Sequence, residues 1–548
     1  MNASNQDEPK KGKEILVIVG TIFLVLGVLL AVSDSFVAPI SRRPMIVPLD
    51  VNPTDVIAEF PENFLFGLAN APAHVEDNLN DSWLLFARGG GVRAWKTVPD
   101  PEARLMFWSQ PEIELDLAAR TGVKVFRMGI DWSRLCPDKP GSIRGNGRLA
   151  SSGVQDFEAL DRYRQILAMI RERGMKPMVT LFHHSLPQWS VEEGGWTNPS
   201  TTKFYLAFAE DVVRELGPLV DYWITFNEPN TFTLLTYIAR VWPPIGKENL
   251  TGMVEFGPLS GEYPKALQNM TDSHNLIYPV IKKIDPSSKV GIAHLVSENY
   301  AQTAAELPLV LASRFIVLLN DFPDKIINKL DFLGINYYGE EVVQGNAIAF
   351  IKGREYSDSG RAIYPEGLFR VLMHFHERYN GGISTREETP LPLWVTENGI
   401  ADENDVLRPA YLIEHLLAIR KAMDEGAPIE GYVFWTVSDN WEWHDGYGPK
   451  FGLVEVDRKN NLLRSPRQSY YLFSQIVETK RILSLQRINA WKLVVSKQGG
   501  VRNLWRSPDG RHGLDTPRKY FYSTVDWRFP EHPRVVDDSY LDLLREQP

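Results

Sequence analysis

Eight short apolar runs alternate with amphipathic stretches over about 400 residues, and that alternation predicts a single (β/α)8 (TIM) barrel of α/β class. The runs lie at 64–69, 123–130, 177–183, 222–228, 290–296, 332–338, 393–397 and 431–437. They are compact and nearly continuous in apolar character, as strands covered on both faces must be. Between them, segments such as 155–173 and 204–216 repeat their apolar residues at the helical period. An open doubly wound sheet would share the alternation. Its glycine-rich phosphate turn after the first strand is missing, and Gly89-Gly90-Gly91 follows no strand.

The runs divide the chain into residues 1–33, a tail and transmembrane anchor; 34–59, a tether; 60–480, the catalytic barrel; and 481–548, a C-terminal extension. Residues 15–32 form an uncharged apolar run close behind Lys10, Lys11 and Lys13. Eighteen residues is the short end of a bilayer-spanning helix, so the expectation is an anchor that makes the bilayer a partner. The competing reading is a cleaved secretory signal, with Ala31-Val32-Ser33 as the small-residue site. Pro39, Pro44, Pro48 and Pro53 suit an extended tether.

The 548 residues have globular composition, with 44% apolar and 23% charged side chains. Lys and Arg number 59 against 69 Asp and Glu, a net charge of −10, which argues against nucleic acid as a partner. The single cysteine, Cys136, rules out an intrachain disulfide, a cysteine zinc site and an iron–sulfur cluster. Asn249-Leu250-Thr251 and Asn269-Met270-Thr271 are glycosylation acceptors only on the secretory route.

Active sites of such barrels lie at the C-terminal strand ends. There the third run ends in His183-His184 and the fourth in Asn227-Glu228-Pro229. The sixth ends in Asn336-Tyr337-Tyr338 and the seventh in Glu397-Asn398-Gly399. The eighth carries Trp435 and leads to Trp441-Glu442-Trp443. One glutamate at a strand end is most often half of an ion pair, and one tryptophan is most often core. Two glutamates on different strands among indoles and amides form the constellation of a glycosidase.

The segments Thr225-Phe226-Asn227-Glu228-Pro229 and Val395-Thr396-Glu397-Asn398-Gly399 resemble the two signatures of glycoside hydrolase family 1, the β-glucosidase family. Residues 60–67 resemble its N-terminal segment, and Asp439-Asn440-Trp441-Glu442-Trp443 with Phe451-Gly452-Leu453 its sugar-binding stretch. The resemblance runs from about residue 60 to 480. It implies a retaining enzyme without a metal in its chemistry, with Glu228 as general acid/base and Glu397 as nucleophile. It further implies that Arg127 and Tyr338 support the nucleophile, and that His74, His183, Asn227, Asn336, Trp435, Glu442, Trp443 and Phe451 bind sugar. Trp441 is expected in the core.

Two positions depart from the family pattern. His74 stands where the family usually has glutamine, and His183-His184-Ser185 where it has His-Trp-Asp. Residues 240–270 look long and irregular, and carry Trp242, Met253, Phe256 and Tyr263 to cover an acceptor. With Asp526-Trp527-Arg528-Phe529 in the tail, these features resemble a divergent branch of the family found in the chloroplast outer envelope of plants and linked to freezing tolerance. That resemblance implies a galactolipid donor and acceptor: galactose moves from monogalactosyldiacylglycerol to a second galactolipid, giving oligogalactolipids and diacylglycerol. It also implies stimulation by magnesium, for which no site is legible. A membrane-tethered or secreted retaining β-glycosidase that hydrolyses β-glucosides or β-galactosides shares every catalytic residue. A non-catalytic sugar- or lipid-binding relative would not need both Glu228 and Glu397.

Overall fold

The computed structural model describes residues 54–91, 104–145, 147–244, 261–301, 321–344, 347–348, 356–381, 390–496, 501–503 and 517–519. Eight strands close into one barrel. They are β1 (Leu65–Ala69), β2 (Val125–Gly129), β3 (Lys176–Thr180) and β4 (Tyr222–Asn227). β5 (Lys289–Leu295), β6 (Phe332–Asn336), β7 (Leu393–Asn398) and β8 (Ile429–Phe434) complete it. All neighbours run parallel, and β8 closes on β1 through Gly431 opposite Leu65. Each strand lies within one of the eight apolar runs to within two residues at its start and one at its end.

The outer helices are α1 (Pro111–Arg120), α2 (Phe157–Glu172), α3 (Pro199–Leu216), α4 (Glu262–Ile284), α5 (Pro365–Asn380), α6 (Arg408–Asp424) and α7 (Gln468–Thr479). The short helix Asp321–Ile326 stands between β5 and β6. Their starts follow ordinary capping chemistry. Asp156 accepts the Ala159 amide at the head of α2, and Asn198 accepts that of Ser200 at the head of α3, whose first residue is proline.

Two apolar clusters hold the layers. The larger lies between strands and helices. The smaller takes at least one residue from every barrel strand, among them Val125, Met178, Ile224, Phe332, Trp394 and Val433, and fills the bore. It plugs the barrel below the site, so the catalytic end is a cup rather than a channel.

α6 is buried on nearly all sides, because α8 (Ser484–Ser496) covers it from outside. Glu414 of α6 accepts from Arg487 at 2.5 and 2.9 Å and from the Trp491 indole at 2.9 Å. The first residues of the C-terminal extension are thus packed into the barrel wall. A ribbon of Val56–Glu59 with Arg481–Leu483 likewise joins the end of the tether to the start of the extension.

Residues 240–270 are not irregular throughout. Glu262 onward belongs to the 23-residue α4, and Tyr263 packs inward there, away from any role as a lid. Asn269 also lies on α4, and its amide donates to the Trp196 carbonyl. Met253 and Phe256 lie outside the described residues, as does the expected anchor at 15–32. Among the described residues no helix is long and apolar enough to cross a membrane.

Candidate active site

Glu228 and Glu397 both line a cup that opens to solvent. Strict strand alternation would not put them there. In β4, Ile224 points into the bore, so alternation would send Phe226 inward and Asn227 outward. Instead Thr225 reaches His274 of α4, Phe226 packs on Tyr205 of α3, and the register with β5 shifts between Ile224 and Asn227. That bulge returns Asn227 to the bore. In β7 Trp394 faces the bore and Val395 the helices, and the shift after Val395 turns Glu397 inward, opposite Asn336. Gly399 follows because the Trp435 carbonyl lies 2.0 Å from where its Cβ would stand.

Glu228 adopts left-handed backbone, φ 42°, a strained conformation for a side chain of its size. Its amide donates to the Ala293 carbonyl at 2.7 Å, its carbonyl accepts from Phe232, and Pro229 starts the helix that follows. The backbone is thereby held on both sides of the carboxyl. Asn336 Nδ2 donates to Glu228 Oε1 at 2.8 Å. Burial first, and the nearby Glu397 second, push the Glu228 carboxyl up to about 8.

Glu397 is buried and meets two donors. Arg127 forms an ion pair with Oε1, and the Tyr338 hydroxyl donates to Oε2 at 2.6 Å. Arg127 also donates to the Thr396 carbonyl at 3.1 Å, to Asn227 Oδ1 at 2.7 Å and to Thr180 Oγ1 at 3.3 Å. A guanidinium with five donors can hold four partners in one plane, which an ammonium cannot. Burial pushes the Tyr338 hydroxyl well above its ordinary range, so it remains a donor.

The wall opposite is aromatic. Trp435, Trp443 and Phe451 line the cup, and the Trp435 indole donates to Glu442 Oε1 at 3.1 Å. Burial raises the Glu442 carboxyl well above the usual range. His183 lines the cup with Nε2 3.0 Å from Asn227 Nδ2. Trp441 is fully buried, as expected of a core residue.

Two expected sugar contacts stand behind the wall instead of in it. Asn336 is fully buried and spends its amide on Glu228 and on Asn227 Oδ1, so its place is under the carboxyl. His74 is fully buried against Trp443 and Trp435, with ring centroids 4.1 and 4.9 Å apart, and is bonded through Nδ1 to the Trp441 carbonyl. Burial pushes its imidazole down to about 3, so it supports the two indoles as a neutral ring.

The structure adds lining residues that motif reading passed over. His184 was noted only as a departure, though tandem histidines at a strand end were the signal. Trp242, which the sequence already marks as a cover for an acceptor, does line the cup, beside His184 and Trp443. Arg361 lies over the Tyr338 ring at 5.5 Å, and nothing in its local sequence marks it. Among the described residues no three His, Cys, Asp or Glu side chains stand together as a metal site.

A paired carboxylate site at the mouth of this barrel directs attention to one family, and its sequence model, Glycosyl hydrolase family 1, matches residues 56–322 and 317–482. The chain belongs to glycosyl hydrolase family 1. An Arabidopsis thaliana relative described as galactolipid galactosyltransferase SFR2, chloroplastic, is 40% identical over 88% of this chain and 85% of its own length. A rice relative (Oryza sativa subsp. japonica), described as beta-glucosidase-like SFR2, chloroplastic, is 40% identical over 85% of this chain and 83% of its own. Among solved structures, the β-glycosidase from Pyrococcus horikoshii is 26% identical, with a TM-score of 0.63 over 78% of this chain and 96% of that one. The Thermotoga maritima β-glucosidase with noeuromycin shares the fold, with a TM-score of 0.65 over 78% of this chain and 100% of that one at 24% identity. The protein is an enzyme of glycosidase type, on the family's barrel.

Proposed function

We propose that the protein transfers galactose from monogalactosyldiacylglycerol to a second galactolipid by double displacement, releasing diacylglycerol and building oligogalactolipids. The observation that carries this reading is its near-full-length likeness to the chloroplast galactolipid galactosyltransferase, combined with both carboxylates in place in one cup. Glu397 attacks the anomeric carbon while Glu228 gives its proton to the departing glyceryl oxygen. The product of that step is a galactosyl ester of Glu397 and free diacylglycerol. Esterification removes the Glu397 charge, one of the two causes that hold the Glu228 proton in place, so Glu228 can act next as a base. It takes the proton of an acceptor hydroxyl as that oxygen displaces Glu397. Arg127 and Tyr338 hold the nucleophile in the first step and receive it back in the second.

In this reading Glu442, Trp435, Trp443, His183, Asn227 and Phe451 hold the galactose, with Asn227 donating to the 2-hydroxyl. His74 and Asn336 act through the residues they touch. Residues 15–32 anchor the enzyme in the chloroplast outer envelope beside its lipid substrates. In this reading all chemistry is carried by side chains.

The test is full-length protein in detergent with radiolabelled monogalactosyldiacylglycerol, products resolved by lipid chromatography. Labelled oligogalactolipid is expected. Free galactose as the main labelled product assigns the site to hydrolysis, the activity that names many of its family relatives. Glu397→Ala is expected to abolish both products.

A further inference from the structure

His184 ends β3's approach to the cup with left-handed backbone, φ 64°, and its ring is fixed on every side. It stacks on Phe232 at 5.7 Å with 3° between planes, and lies 4.9 Å from Trp242 and 5.2 Å from Trp443. The Trp83 indole donates to its carbonyl at 2.9 Å. Its Nδ1 is buried with no hydrogen-bond partner among the described residues. An apolar ring would fill that space without leaving an N–H unpaired, which costs about 1–3 kcal/mol. The other nitrogen therefore has to account for the histidine.

The proton positions around it can be deduced. Asn227 Oδ1 accepts from Arg127 and from Asn336, so its amide cannot be turned round. Both hydrogens of its Nδ2 then face imidazole nitrogens, His183 Nε2 at 3.0 Å and His184 Nε2 at 3.2 Å. A donor requires a lone pair, so each histidine is unprotonated at Nε2 and carries its hydrogen on Nδ1. The titratable and charged groups around His184 are Glu228, His183, His74 and Arg127; burial, then His74 and Arg127, lower its basicity well below the ordinary range. On Glu228, Oε1 accepts from Asn336, which leaves the acid proton to Oε2. That oxygen stands 3.9 Å from His184 Nε2. Closing the gap by about 1 Å makes an O–H···N hydrogen bond.

We propose that His184 is a positioning residue for the acid/base, its Nε2 lone pair holding the Glu228 proton on Oε2 once Asn227 turns its N–H to the sugar. The inference rests on Glu228 being the acid/base. One lone pair serves two donors in turn. In the empty cup Asn227 occupies it. With galactose bound, the 2-hydroxyl takes the Asn227 hydrogen and the lone pair passes to Glu228. The proton stays on Oε2 until the leaving oxygen accepts it, and the imidazole remains neutral throughout. A neutral acceptor stabilises the protonated carboxyl, so its loss moves the alkaline limb of activity to lower pH. A cationic histidine would have the opposite sign.

The test uses full-length enzyme, phenyl β-galactoside as the poor leaving group and 2,4-dinitrophenyl β-galactoside as the activated one. His184→Phe keeps the ring's bulk and removes the lone pair. Its kcat limb for the phenyl substrate, read at saturating substrate and so reporting the sugar-bound enzyme, is expected to move down by about one pH unit, a roughly tenfold loss above the limb, with little change for the activated substrate. His184→Gly suits the left-handed backbone and leaves a ring-sized space, and added imidazole is expected to restore the limb where benzene does not. An unmoved limb in His184→Phe, equal losses on both substrates, or rescue by benzene as good as by imidazole overturns the proposal. Glu228→Ala separates the two ideas. If it spares the activated substrate while His184→Phe leaves the limb in place, only the His184 inference fails. If it loses both substrates equally, the acid/base assignment fails.

Discussion

Glu228→Gln isolates the cost of keeping a carboxyl in this cup. Glutamine has the shape of the protonated acid, and its Oε1 can still accept from Asn336. The wild-type carboxyl titrates at about 8 when folded against 4.5 for the ordinary group. Because the folded value is raised, the group favours the folded state fully below pH 4.5 and progressively less as pH rises through 8. At about 1.4 kcal/mol per unit, the wild type gives up about 1 kcal/mol by pH 5, about 3 by pH 7 and nearly 5 above pH 9. Glutamine has no proton to lose and escapes this. The mutant should therefore match wild type in Tm near pH 4 and exceed it by a growing margin up to pH 9. Paired thermal unfolding scans at five pH values measure that margin. The same mutant should lose phenyl galactoside turnover by two or more orders of magnitude, as removal of general acid catalysis does. A margin that is constant with pH, or that shrinks as pH rises, would refute the claim that burial and Glu397 raise this carboxyl.

For the wild-type enzyme, kcat/KM for phenyl β-galactoside should fall on an alkaline limb near pH 8, because Glu228 must enter the first step protonated; a pH profile in saturating and limiting substrate reads it. Glu397→Ala should be inert, and added azide should restore release of the aryl group with an α-galactosyl azide product, whose configuration NMR reports. Arg127→Lys should lose activity by roughly a hundredfold or more, since an ammonium cannot hold Glu397, Thr396, Asn227 and Thr180 together; steady-state assay at constant folded fraction checks this. Glu414→Ala breaks its buried ion pair with Arg487 and should cost about 3–5 kcal/mol of stability, read by denaturant unfolding, with kcat unchanged in the surviving fold.

The barrel was legible because its strands are buried on both faces, and continuous apolar runs of that length have few other uses. All eight runs became barrel strands for this reason. Glu228, Glu397 and Tyr338 meet in the cup, with Arg127 buried behind Glu397, because strand ends converge there whatever the loops do. Depth within the cup was harder to read. A sequence motif gives the residue type beside a sugar but not whether it stands in the wall or behind it, and His74 and Asn336 both proved to stand behind. The two bulges that turn Asn227 and Glu397 inward carry no glycine or proline of their own, so simple alternation would have aimed both side chains outward. The stretch 240–270 looks long and irregular, yet its part from Glu262 is helix, and Pro264 in the first turn forfeits no bond. Arg361 was invisible for a different reason: it reaches the cup from a turn far from either signature, and only folding brings it over Tyr338.

What decides between water and a second sugar is the wall, since the two carboxylates perform the same steps for either. The apolar part of the cup's lining includes Leu235, Trp242, Leu295 and the half-buried Trp443. These groups offer water only the N–H of each indole and no carboxylate, so a water near the ester carbon has few partners to orient it. A galactolipid headgroup brings its own hydroxyls and a ring face that can lie on indole, and it displaces that water as it binds. Trp242 touches both His184 and Trp443. Trp242→Ala should leave cleavage of activated aryl galactosides within a few-fold, because it touches neither Glu397 nor its donors. It should open room for ordered water and lower the ratio of oligogalactolipid to free galactose severalfold, measured on one chromatogram. If that ratio is unchanged while the aryl rate holds, the acceptor is selected by some other part of the mouth, and Arg361 on the opposite rim becomes the next residue to replace.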